Sequence, residues 1–236
     1  MRLFIPGSPP LLAETHAAFR NRTGHAILER YGMTETNMNT SNPYDGERIA
    51  GTVGFPLPGV TVRITDPATG AVLPPNETGL IEIKGPNVFK GYWRMPEKTA
   101  AEFTTDGFFI SGDLGKIDRQ GYVHIVGRSK DLVISGGYNV YAKEVEGDID
   151  RLEGVAESAV IGVPHPDFGE GLTAIVVCKP DAALDETAIL GALQERLAPY
   201  KQPKRIIFTG GPPRNTMGNV QKNVLRQKFA DLYTTT

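Results

Sequence analysis

Four stretches of this chain place glycine beside side chains able to hold phosphate, a metal ion or a sugar hydroxyl. In Tyr31-Gly32-Met33-Thr34-Glu35-Thr36 a Thr hydroxyl and a Glu carboxylate adjoin a glycine turn. Mg²⁺ takes oxygen ligands from one or two carboxylates and from substrate phosphate, so this turn suits a metal ion bridging to phosphate. A solvated turn closed by a capping hydrogen bond is the other reading. In Ser111-Gly112-Asp113 a carboxylate ends an apolar strand and can accept hydrogen bonds from two ribose hydroxyls. An ordinary Asp turn has the same wording. In residues 127–139, Arg128 can pair with a phosphate or a ribose, and Ser135-Gly136-Gly137 permits close backbone approach or a tight hairpin. The fourth stretch, 213–222, is a turn-rich segment before the terminal helix and, taken alone, a capped loop.

The elements that must position these loops can be read from hydrophobic period and turn residues. A short strand over 2–5, a helix over 11–22 and a strand over 25–30 are expected first, the last running into the polar turn 31–36, at a strand end where α/β proteins commonly bind ligands. From 51 to 127 the period is two: strands over 60–65, 80–84, 108–111 and 122–126, with a brief helix near 97–103, predict a small antiparallel β unit. After Lys130 the pattern predicts a strand over 132–135, a helix over 140–152, strands over 159–163 and 173–179, a helix over 185–197, a strand over 205–209 and a last helix over 220–233. Val145, Ile149 and Leu152 share a helical face, as do Ile189, Leu193 and Leu197, and as do Val220, Val224, Leu225, Phe229 and Leu232; these stripes are core. The fold class is α/β (α+β), with a boundary near Lys130 separating residues 1–129 from a small α/β domain over 130–236.

Composition narrows the function classes. The 236 residues carry 25 Lys and Arg against 27 Asp and Glu, a net charge of −2, so the chain presents no strong field for nucleic acid or anionic lipid. Its single cysteine, Cys178, allows no internal disulfide and no thiol pair for zinc, and reads as a small buried hydrophobe. Gly7, Pro9 and Pro10 interrupt what would be the apolar segment of an export signal, and no run approaches the roughly 18 apolar residues of a membrane span. A cytoplasmic protein is expected. His165, in Val163-Pro164-His165-Pro166, reads as structural.

The order of the motifs says more than any one of them. Tyr31-Gly32-Met33-Thr34-Glu35, Gly51-Thr52-Val53-Gly54 with Pro56-Leu57-Pro58-Gly59, Thr78-Gly79-Leu80-Ile81-Glu82-Ile83-Lys84-Gly85 through Gly91-Tyr92-Trp93, Gly112-Asp113, Gly127-Arg128 to Glu146, and 213–222 follow one another along nearly the whole chain. In this order they resemble the C-terminal half of an adenylate-forming (AMP-binding) enzyme, the superfamily of acyl-CoA synthetases, luciferases and peptide-synthetase adenylation domains. The wording around Glu29-Arg30-Tyr31 and Phe168-Gly169-Glu170-Gly171 is similar to that of malonyl-CoA synthetases.

The resemblance implies ATP/AMP, Mg²⁺ and coenzyme A as ligands and two half-reactions: a carboxylate attacks the ATP α-phosphate to give an acyl-adenylate, and the CoA thiol then displaces AMP. It implies that Thr34 contacts phosphate, Glu35 holds Mg²⁺, Asp113 binds ribose, Arg128 contacts the nucleotide, and Gly7, Tyr31 and Gly32 lie against it. Lys130 falls at the hinge of the mobile C-terminal domain, and Gly136 and Gly137 on the path of the pantetheine arm. Arg30 is a candidate partner for the distal carboxylate of malonate, since Arg binds carboxylates in bidentate fashion, or the cation of a surface ion pair.

The chain departs from the family pattern in several places. The catalytic lysine that follows the Gly of the last motif is replaced by Asn219, and Lys222, three residues on, stands where the family commonly has a second cation. Ala142 occupies a usual Pro position, and Pro6 precedes Gly7-Ser8 where a small polar residue is usual. The Gly- and Ser-rich phosphate loop of the family's N-terminal half has no counterpart. Two readings follow: half of a ligase for malonate or a similar small carboxylate, whose partner is the missing N-terminal half; or a catalytically incompetent homologue that only binds nucleotide or CoA.

Overall fold

The computed structural model describes residues 3–6, 11, 13–216 and 218–234, with the side chain of residue 13 excepted. The architecture is mixed α/β, and the chain divides into two compact units, Met1–Ser129 and Lys130–Thr236.

The first unit holds helix α1 (Ala13–Thr23), a three-stranded antiparallel sheet of β1 (Arg30–Met33), β2 (Asn37–Ser41) and β3 (Phe55–Pro56), and a four-stranded antiparallel meander of β4 (Thr61–Thr65), β5 (Gly79–Lys84), β6 (Phe109–Ile117) and β7 (Val123–Arg128), with the short helix α2 (Pro96–Ala101) before β6. The alternation that predicts β4 and β5 buries Val62, Ile64, Ile81 and Ile83 with Val123 in one cluster. Two expectations shift here. Residues 3–6 form no strand, and the strand expected over 25–30 begins only at Arg30 and runs through Met33, so the turn contracts to 34–36. β2 and β3 were not legible, because Asn37, Asn39, Thr40 and Ser41 lack an apolar alternation.

The second unit is built on a five-stranded sheet: β8 (Leu132–Ser135), β9 (Tyr138–Tyr141), β10 (Val155–His165), β11 (Gly169–Cys178) and β12 (Arg205–Phe208). All pairs are antiparallel except β11 with β12. Helices α3 (Ala142–Asp150) and α4 (Glu186–Gln194) bury Val145, Ile149, Ile189 and Leu193 against Val133, Val160, Leu172 and Ala174 on one face. Helix α5 (Lys222–Lys228) covers Ala159, Ile161, Val163 and Ile175 on the other with Leu225. Asp185 caps α4 by accepting from the Ala188 N–H at 2.7 Å. The expected helix over 140–152 is split: Tyr138–Tyr141 pairs with β8 as a strand and the helix begins at Ala142. The terminal helix begins at Lys222, and Val224 faces outward at 36% exposure, so it leaves the expected apolar stripe. Cys178 packs against the first core cluster only partly buried, and His165 ends β10 between the rings of Phe168 and Tyr233. Among the described residues no helix is long and apolar enough to cross a membrane.

Candidate functional site

In the first unit the sheet pairing converts distant sequence positions into one cluster. Asp113 on β6 lies opposite Arg128 on β7, and Arg128 Nε sits 2.7 Å from Asp113 Oδ1. From β1, the Tyr31 hydroxyl donates to Asp113 Oδ2 at 2.5 Å. Asp113 is 4% exposed, while the Arg128 side chain is 51% exposed and open to solvent on its far side. The Ser111 hydroxyl donates to the Ile81 carbonyl and accepts from the Asp113 N–H, which fixes the carboxylate's backbone. Burial, then the neighbouring Asp113 charge and its hydrogen bond, push the Tyr31 phenol far above its ordinary value, so it stays a proton donor. Each oxygen of the Asp113 carboxylate can accept more than one hydrogen bond.

Thr34 and Glu35 occupy the tip between β1 and β2. Thr34 is exposed and Glu35 half-buried. Gly32 is enforced by crowding: a Cβ there would lie 2.0 Å from the Asn37 carbonyl oxygen. The Glu35 carbonyl accepts from the Phe89 N–H at 2.8 Å, and its Oε1 lies 3.1 Å from the Tyr92 hydroxyl, which also reaches Glu102 Oε2 at 2.7 Å. One phenolic proton serves two carboxylates, and burial followed by those hydrogen bonds raises the Tyr92 phenol well above its ordinary value. Neither Tyr92 nor Glu102 was singled out from sequence, although Gly91-Tyr92-Trp93 was part of the motif series. Asn87 braces the same turn, its amide donating to the carbonyls of Thr36 at 2.7 Å and Met38 at 3.1 Å.

Arg30 is exposed at a cavity of about 510 Å³ lined by Met38, Thr40, Tyr44, Phe55 and Leu57 among others. Its Nη1 contacts the Met38 sulfur at 2.8 Å, and it forms no ion pair among the described residues. Gly7 lies outside the described residues.

The second unit carries the other candidates. Lys130 is exposed in the single helical turn Ser129–Asp131. Gly136 and Gly137 form the two-residue turn of the β8–β9 hairpin with φ of +59° and +82°, the conformation a mirror-image hairpin turn requires. A Cβ at Gly137 would meet nothing within 4 Å, so within this unit the backbone and not crowding asks for glycine. Asn219 is half-buried, its N–H donating to Asn215 Oδ1 at 2.9 Å.

Family models match parts of both units. The AMP-binding enzyme family model matches residues 1–93, and the AMP-binding enzyme C-terminal domain model matches residues 144–219. The chain belongs to this adenylate-forming, AMP-binding family. Within it, the chain is similar to malonate–CoA ligases. It is 41% identical over 242 residues to the malonate–CoA ligase of Arabidopsis thaliana, covering 97% of this chain and 39% of that one. A probable CoA ligase of Humulus lupulus is 43% identical over 245 residues, with 97% and 39% covered. The ATP-bound crystal structure of MatB from Rhodopseudomonas palustris is 66% identical and superimposes with a TM-score of 0.96, covering 99% of this chain and 46% of that one. The chain thus spans less than half the length of these relatives.

Proposed function

We propose that this chain is the C-terminal half of an ATP-dependent carboxylic acid–CoA ligase acting on malonate or a similar short dicarboxylate, in which the adenylation lysine is replaced by Asn219. The observation that carries the reading is the cluster of Tyr31, Asp113 and Arg128, within a chain 66% identical to an ATP-bound structure. In this reading Asp113 accepts from the ribose hydroxyls of ATP, oriented by Tyr31, while Arg128 swings its exposed guanidinium to the nucleotide. Tyr31 and Gly32 form the floor beneath the nucleotide. Thr34 donates to phosphate. Glu35 supplies a hard oxygen suited to Mg²⁺, and among the described residues no group of three or more His, Cys, Asp or Glu surrounds a common point, so nucleotide oxygens and water complete the set. Bound there, Mg²⁺ would neutralise phosphate charge.

In the first half-reaction a malonate oxygen bonds to the α-phosphorus as pyrophosphate leaves. In the second the CoA thiolate bonds to the acyl carbon as AMP leaves. Lys130, the first residue of the second unit, is the hinge in this reading, and the Gly136–Gly137 turn lies along the pantetheine arm. Arg30, with no carboxylate partner among the described residues, receives the distal carboxylate of the substrate. Asn219 favours a second reading, a nucleotide- or CoA-binding homologue without adenylation, because a neutral amide cannot replace the lysine's charge.

The test supplies the N-terminal half to this chain and follows ATP- and malonate-dependent acyl-CoA formation for the Asn219 form and for Asn219→Lys. Acyl-CoA from the Asn219 form supports the ligase reading; acyl-CoA from Asn219→Lys alone shows that the chain as it stands is the incompetent homologue, lacking one catalytic element. No product from either, with AMP still bound, establishes the binding module instead.

A further inference from the structure

The proposed chemistry uses none of the four carboxylates on helix α3, and one of them, Glu146, is buried. The Glu146 side chain is 5% exposed, and its Oε1 receives Lys222 Nζ at 2.6 Å together with the Val160 N–H of β10 at 2.9 Å; its Oε2 lies 3.4 Å from Lys143 Nζ. The Lys222 side chain is itself only 15% exposed. A buried carboxylate that loses its cation is strongly destabilising, so this pair stays formed while the unit is folded.

Lys222 is also the foot of the segment that presents residue 219. The arms 213–216 and 218–221 are held to each other by an antiparallel bridge between Arg214 and Val220, by Gln221 N–H to the Pro213 carbonyl at 2.8 Å, by Asn215 N–H to the Asn219 carbonyl at 3.0 Å, and by Gly218 N–H to the Asn215 carbonyl at 2.9 Å. Both arms are then tied to β10. Arg214 pairs with Glu157, and Lys222 pairs with the carboxylate that also holds the Val160 amide.

We infer that the Glu146–Lys222 ion pair is a positioning device: it anchors the arms carrying residue 219 to α3 and β10, and it commits Lys222 to that anchor, so that Lys222 cannot serve as the cation missing at position 219. The functional half of this inference rests on the ligase reading. The structural half does not. Moving Lys222 Nζ to a substrate would leave Glu146 buried without its principal cation. The arms are preorganised, and a lysine introduced at 219 enters a loop already held.

Amide hydrogen exchange on the full 236-residue chain tests this directly. Lys222→Met is expected to speed exchange at Asn215, Gly218, Asn219 and Gln221 by at least about tenfold, while the central β10–β11 amides stay within about threefold. Lys222→Arg restores protection. Because Lys222→Met strands a buried charge, the pair Glu146→Gln with Lys222→Met provides a folded control, and the same four amides are expected to exchange faster there. Wild-type exchange at those amides in the double variant overturns the inference, and so does an equal loss of protection across β10 and β11. In the Asn219→Lys form joined to its N-terminal half, Lys222→Met should lower kcat for adenylate formation about tenfold, with KM for ATP within about twofold and recovery in Lys222→Arg. An unchanged kcat overturns the positioning role. Exchange is read without nucleotide, so failure of the ligase reading and failure of this inference are separable.

Discussion

Arg30 shows how much a single side chain can say once its surroundings are known. Sequence left it between a substrate contact and a surface ion pair. The structure puts its guanidinium at an apolar cavity against the Met38 sulfur, with no acidic partner among the described residues. In the joined enzyme, Arg30→Met should raise KM for malonate about a hundredfold and leave propionate, which lacks the distal carboxylate, within a few-fold. Equal effects on both acids in steady-state assays would remove Arg30 from substrate recognition. Asp113 and Arg128 were legible one by one, each at the end of a motif. Their pairing with Tyr31, 82 residues away from Asp113, was not, because no spacing rule reports which strands end side by side. Tyr92 was missed for a related reason: its partners Glu35 and Glu102 lie on the β1–β2 turn and just past α2.

At the scale of elements, cross-strand and turn contacts make two predictions. Asp106, between α2 and β6, accepts from Arg63 of β4 at 2.6 and 3.1 Å and from the Thr104 hydroxyl at 2.6 Å. The Arg63 hydrogen bonds lead in holding its carboxyl down at about 2. A carboxylate depressed in the folded state stabilises the fold above its unfolded value near 3.9, and that contribution is lost as pH falls from about 4 towards 2. Arg63→Met should return Asp106 towards the ordinary range, as carboxyl NMR titration would show, and flatten the acid limb of stability; an unmoved Asp106 titration would contradict the account. Asn87→Ala, which removes the donors to Thr36 and Met38, should destabilise the first unit by about 2 kcal/mol in urea unfolding, and a loss below about 0.5 would show that the turn holds without it. Legibility followed side-chain chemistry here. β4 and β5 alternate cleanly and were found, whereas β2 is polar on both faces. The helical face of Val145, Ile149 and Leu152 extends in the sequence back to Val140, the third residue of β9, and only the pairing with β8 shows that the helix starts at Ala142.

Over the whole molecule, the second unit contains both of its core clusters. Val133, Val160, Leu172 and Ile189 are buried in one and Ala159, Ile161, Ile175 and Leu225 in the other, all from residues after Lys130. Residues 130–236, roughly a common domain size, should therefore fold alone, giving a dispersed NMR spectrum that overlays the corresponding peaks of the full chain. A collapsed spectrum would mean that the unit depends on residues before it. The mixed α/β class was legible because helical and strand periods alternate after Lys130. The family was legible only through motif order, and less than half of each relative's length lies within this chain. In the ligase reading, one residue, Asn219, separates this chain, once joined to its N-terminal half, from a complete adenylation apparatus. The most direct test of this is to join the chain to its N-terminal half and measure the two half-reactions separately, with Asn219 and with lysine. The account predicts that Asn219→Lys raises malonate-dependent adenylate formation by about 10²–10³, while the reaction of preformed malonyl-adenylate with CoA changes by no more than a few-fold. Equal change in both half-reactions, or none in the first, would contradict it.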